Sequence, residues 1–72
     1  MNKKWYIKIY LKSGNIIYGY VINQLETTGE VAKMYFGKTE NDVIGIYGRE
    51  GFNLFYKCSE VEAFNISDED FN

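Results

Sequence analysis

The chain has 72 residues, enough for one domain but too few for a large core, so its stability must come from a dense aromatic interior or from self-association. It has one cysteine, Cys58, and no histidine, which excludes an intramolecular disulfide, Cys/His zinc sites and Ser–His or Cys–His nucleophilic pairs. The net charge of −2 divides into +4 over residues 1–24 and −6 over residues 25–72, which is neither the basic balance of a general nucleic-acid binder nor the strong acidity of a DNA mimic.

Residues 5–12 alternate Trp5, Ile7, Ile9 and Leu11 with Tyr6, Lys8, Tyr10 and Lys12, the period-two pattern of a half-buried strand. Ser13-Gly14-Asn15 predicts a tight turn, and a second strand runs from Ile16 to about Asn23. Thr27 to Glu30 reads as a loop. Residues 31–36 fit a strand or a single helical turn, and six residues between glycines favour the strand on length. A polar loop over 37–42 leads to a strand over 43–47, a hairpin turn at Gly48-Arg49-Glu50-Gly51 and a strand over 52–58. Ser59-Glu60 is a corner, 61–66 the last strand, and 67–72 an acidic tail expected to fray.

The pattern predicts an all-β fold, a small antiparallel barrel or rolled sheet of five to six strands, with one domain over 1–66 and the tail over 67–72. The first hairpin allows two registers. With three loop residues and Gly14 left-handed, Ile9 pairs with Ile17 and Ile7 with Gly19. Trp5, Ile7, Ile9, Leu11, Ile17 and Val21 then face inward, and Tyr6, Lys8, Tyr10, Lys12, Ile16, Tyr18, Tyr20 and Ile22 face outward. A two-residue loop reverses the faces of the second strand. Either way both faces carry apolar surface, and one must meet other parts of the chain, a partner or a second copy.

Leu11-Lys12-Ser13-Gly14-Asn15 followed by Gly19-Tyr20-Val21 resembles the first motif of the Sm-like family, and Tyr56-Lys57-Cys58-Ser59-Glu60-Val61 falls where its second motif would sit. Lys57 stands in place of the usual Arg and Cys58 in place of the usual Gly. The resemblance implies Sm-like small-barrel topology. It does not extend to the RNA-binding loop, because residues 24–30 lack that family's Asp and Asn. In length and style, with a Lys-Ser-Gly hairpin and an acidic end after Val61-Glu62-Ala63-Phe64-Asn65-Ile66, the chain also resembles small accessory proteins of phages of low-GC Gram-positive bacteria. That resemblance implies a small accessory protein, a group of which some inhibit host defences.

No catalytic constellation and no cofactor or metal motif is legible, so the expectation is a binding protein rather than an enzyme. No apolar run approaches the ~20 residues that span a bilayer. Residues 1–12 do not read as a signal peptide, and a lone cysteine suits a cytoplasmic setting. The leading expectation is a homo-oligomer (a dimer) that binds and blocks a host protein through Tyr6, Lys8, Tyr10, Lys12, Tyr18 and Tyr20, or through the acidic residues Glu60, Glu62, Asp68, Glu69 and Asp70. The alternatives are a nucleic-acid or nucleotide-binding module, in which tyrosines stack bases and lysines neutralise phosphates, and a purely structural assembly protein.

Overall fold

The computed structural model describes residues 2–37 and 42–71. Five strands, β1 (Lys3–Leu11), β2 (Ile16–Asn23), β3 (Val43–Gly48), β4 (Asn53–Lys57) and β5 (Val61–Ser67), form one antiparallel sheet in the order β4-β3-β2-β1-β5. One helix, α1 (Thr28–Phe36), lies between β2 and β3, and a single 3-10 turn over Cys58–Glu60 joins β4 to β5. The loop expected over 37–42 falls mostly outside the described residues.

The sheet is not closed into a barrel, since β4 and β5 are its two edges. It must nevertheless curl. Five strands laid flat would hold the edge strands roughly 19 Å apart. Lys57 and Val61 end and begin those strands, and the intervening chain spans at most about 14 Å when extended. The Lys12 N–H donates to the Glu60 carbonyl at 2.9 Å, tying the connection to the end of β1.

The first hairpin adopts the three-residue loop. Leu11 N–H donates to the Asn15 carbonyl and Gly14 N–H to the Leu11 carbonyl, each at 2.9 Å, and Gly14 has φ of +95°. Ile9 therefore pairs with Ile17 and Ile7 with Gly19. The β3–β4 turn repeats this geometry with Gly51 at φ +91°. In both turns the third loop residue occupies the left-handed region, where a Cβ is strained.

Residues 31–36 are not a strand. They belong to α1, whose start is fixed by Thr27: its Oγ1 accepts from the Glu30 N–H at 3.2 Å and donates to the Glu30 carboxylate at 3.0 Å. The Thr27-x-x-Glu30 spacing is a capping pair that satisfies an orphan N–H of the first turn. Packing then holds a helix too short to persist alone. Val31 is fully buried, and the Phe36 ring stacks on Phe64 of β5 at 3.9 Å between centroids.

The core lies between α1 and the inner face of the curled sheet. Trp5, Ile7, Ile9, Val21, Val31, Ile44, Ile46 and Tyr56 are buried, with Leu11, Ile17, Leu25, Leu54, Phe64 and Ile66 packed around them. The Trp5 indole N–H donates to the Leu25 carbonyl at 3.2 Å, and the Asn23 Oδ1 accepts from the Leu25 N–H at 2.9 Å. These two bonds fold the segment after β2 back over the core and aim the chain into α1. Gly19 faces Gly48 where β2 meets β3. A Cβ on Gly19 would lie 2.5 Å from Ile46 Cδ1 and 2.6 Å from the Tyr47 carbonyl oxygen, so the close approach of these strands requires glycine there.

Candidate functional site

With α1 over one face of the sheet, no helix or strand among the described residues covers the other face. Alternation places Tyr6, Lys8 and Tyr10 of β1 and Tyr18 and Tyr20 of β2 on that outer face. These are the residues expected there from the sequence, with one exception. Lys12 stands in the exposed turn beyond the end of β1 and does not belong to the sheet surface.

The outer face is wider than the first hairpin. Tyr47 of β3 pairs with Tyr20, and their rings stack at 5.4 Å. Phe55 of β4 lies across Gly45 and is 70% exposed, while Val43, Ile16 and Ile22 also open to solvent. The aromatic strip thus crosses four strands. Lys4, Tyr47, Arg49 and Phe55 were not singled out by the sequence reading. The alternation within 43–47 and 52–58 would have found Tyr47 and Phe55 once those strands were laid beside β2.

Cations are interleaved with the rings. Lys4 Nζ lies 4.2 Å from the Tyr20 centroid and 5.2 Å from that of Tyr6. Lys8 Nζ lies 5.1 Å from the Tyr10 ring and 5.5 Å from the Tyr18 ring. The neighbouring Tyr10 hydroxyl, which favours the charged ammonium, holds the Lys8 pKa above the ordinary 10.5. The Arg49 guanidinium, from the β3–β4 turn, sits 4.6 Å from the Tyr18 centroid. Tyr6, Tyr10, Tyr18 and Tyr20 each therefore meet a positive charge, a set of cation–π contacts that orders otherwise mobile side chains.

The acidic tail does not stand away from the domain. Arg49 Nη2 donates to Asp70 Oδ1 at 2.9 Å and to the Phe71 carbonyl at 3.3 Å. Lys3 lies 3.8 Å from Asp68, and the Glu69 N–H donates to Ser67 Oγ at 3.0 Å. The tail leaves the β5 edge and meets the β3–β4 turn on the far side of the first hairpin, bordering a cleft of about 100 Å³ with Lys4, Tyr6, Tyr18 and Tyr20. Of the acidic contact candidates, Asp70 is thus engaged on this face, whereas Asp68 lies beside Lys3, whose ammonium rests on the Trp5 ring. Glu60 and Glu62 are exposed near the 3-10 turn, and Glu69 is exposed in the tail. A second concavity of about 320 Å³ opens where β2 and β3 part, lined by Ile22, Tyr35, Tyr47, Asn53 and Phe55.

Cys58 is a half-buried free thiol packed against the core. Among the described residues, no group of three or more His, Cys, Asp or Glu side chains converges as a metal site, and no helix is long and apolar enough to cross a membrane. What the face offers chemically is stacking surface, hydroxyls, and fixed positive charge. No protein-family model, curated protein or solved structure matches this chain.

Proposed function

We propose that the protein is a non-enzymatic binding module that attaches to a partner protein through the outer face of its sheet. The observation that carries this reading is the contrast between the two faces. One is buried under α1, and the other carries half-buried Tyr6, Tyr10, Tyr18 and Tyr20 with exposed Tyr47 and Phe55. A contiguous aromatic surface of this kind is the composition of a protein interface, where Tyr and Arg are enriched and Lys is tolerated at the rim. The likeness to phage accessory proteins supplies the concrete form: a host-cell protein in the cytoplasm, a component of a defence system, is bound and blocked.

The test is capture of the partner from host lysate by the wild-type chain and by a Tyr18→Ala/Tyr20→Ala double variant. The wild type should retain a defined protein that the variant binds more than about tenfold more weakly. Retention unaffected by the double substitution would remove the outer face from the account.

A second reading has one observation in its favour. Lys4, Lys8 and Arg49 alternate with stacked tyrosines, the arrangement that holds single-stranded nucleic acid. Titration of labelled single-stranded DNA and cyclic nucleotides at low salt decides it. Binding that Tyr10→Ala abolishes supports this reading, and absence of binding rejects it.

A further inference from the structure

We propose that the surface around Arg49 is a recognition site for an acidic peptide segment of a partner, with the protein's own tail as its resting occupant. The proposal rests on the reading of the outer face as a protein-binding surface and names the chemistry of what that surface takes.

Three features of the contact argue for a peptide. First, Arg49 is the only arginine in the chain. It is placed by a three-residue turn with its guanidinium against the Tyr18 ring, so the fork is oriented before any ligand arrives. Second, the same nitrogen of Arg49 donates to a carboxylate, that of Asp70, and to a main-chain carbonyl, that of Phe71. A carboxylate beside a backbone carbonyl is a peptide signature that a phosphodiester chain does not offer. Third, the surroundings suit an acidic segment carrying an aromatic residue. Lys4 and Lys8 extend the positive charge along the hairpin, while Tyr6, Tyr18 and Tyr20 line a cleft that Asp70 and Phe71 close on its other side.

The tail is held lightly. Arg49 and Asp70 are both partly exposed, and Lys3 and Asp68 approach only to 3.8 Å. Exposed pairs of this type are weak and screened by salt. A tail that docks weakly lowers the apparent affinity for an incoming acidic segment by the fraction of time it occupies the site, and it yields to a better-matched one.

The experiment uses the full chain and a fluorescein-labelled synthetic peptide with the tail's own sequence, Ser-Asp-Glu-Asp-Phe-Asn, read by anisotropy at low salt. Asp70→Asn frees the site at an exposed position and is expected to bind the peptide roughly fivefold more tightly than wild type. Arg49→Ala, added to Asp70→Asn, should abolish that binding, and Arg49→Lys should restore it only in part. A peptide with both aspartates changed to asparagine should not bind. Failure of the Asp70→Asn chain to bind the acidic peptide, with its circular dichroism unchanged, overturns the proposal, as does binding indifferent to Arg49→Ala. An oligothymidine that binds the Asp70→Asn chain more tightly than the peptide assigns the site to nucleic acid and overturns it too. So does a wild-type dimer in sedimentation that Arg49→Ala converts to monomer, because the occupant is then a second copy's tail. The readout needs no host protein: peptide binding without lysate capture leaves this site standing and rejects the proposed partner protein, and the converse result rejects only the site.

Discussion

Tyr56 reaches into the core with its hydroxyl buried and without a hydrogen-bond partner among the described residues. An unsatisfied buried hydroxyl costs stability that a phenyl ring does not. Tyr56→Phe is therefore expected to stabilise the domain by about 1 kcal/mol, measured as a shift in the urea midpoint at neutral pH. The same burial raises the pKa of the folded-state phenol above its ordinary value of 10.0. Below that value both states hold the proton and the difference contributes nothing further. Above it, the unfolded chain releases a proton that the folded chain retains, so stability falls as pH rises. The wild type should lose urea resistance between about pH 9 and pH 11 more steeply than Tyr56→Phe. Equal slopes would show that this phenol is not the responsible group. Gly19 is the opposite case, a position with no room at all. A Cβ there meets the Tyr47 carbonyl oxygen, which is backbone and cannot swing aside. Gly19→Ala should cost about 1–3 kcal/mol, with amide protection lost first along β2 and β3.

At the scale of elements, α1 is the most informative. Thr27→Ala removes the acceptor for the Glu30 N–H and should cost about 1 kcal/mol, visible as faster amide exchange in the first turn of the helix, whereas Thr27→Ser should recover most of the loss. The strands were legible in the sequence because period-two alternation survives even in short segments, as in Trp5 to Leu11. The helix was not, because residues 31–36 carry apolar side chains at spacings that suit both periods, and the Thr27-Glu30 capping pair that starts the helix lies before that window. The faces of the first hairpin were legible only up to a choice of register, since one residue more or less in the turn inverts β2. Gly14 in the left-handed region makes that choice. The Arg49–Asp70 contact was beyond reach altogether. It joins residues 21 apart in sequence, and nothing local signals that the tail returns across the hairpin.

For the whole molecule, the decisive property is asymmetry. The helix seals one side of the sheet, and the aromatic side is only half-buried. Tyr18→Ser and Tyr20→Ser together should lower the thermal midpoint by no more than about 10 °C while reducing any concentration-dependent association seen by light scattering. A large loss of stability would mean that these rings belong to the core after all. Two unpaired edges, β4 and β5, accompany the open face. Edge strands invite pairing with other chains, and the one lysine and one glutamate on them, Lys57 and Glu62, oppose it.

The indole of Trp5 is buried on the α1 side of the sheet, bonded to the Leu25 carbonyl, while the stacked tyrosines lie on the opposite side. The chain thus carries its single tryptophan and five of its seven tyrosines on opposite sides of one sheet. Tryptophan emission should report loss of the folded state and stay silent when a ligand settles on the aromatic face. Tyrosine absorbance should respond to that ligand while the fold is intact. Binding and unfolding can then be followed independently in one unlabelled sample.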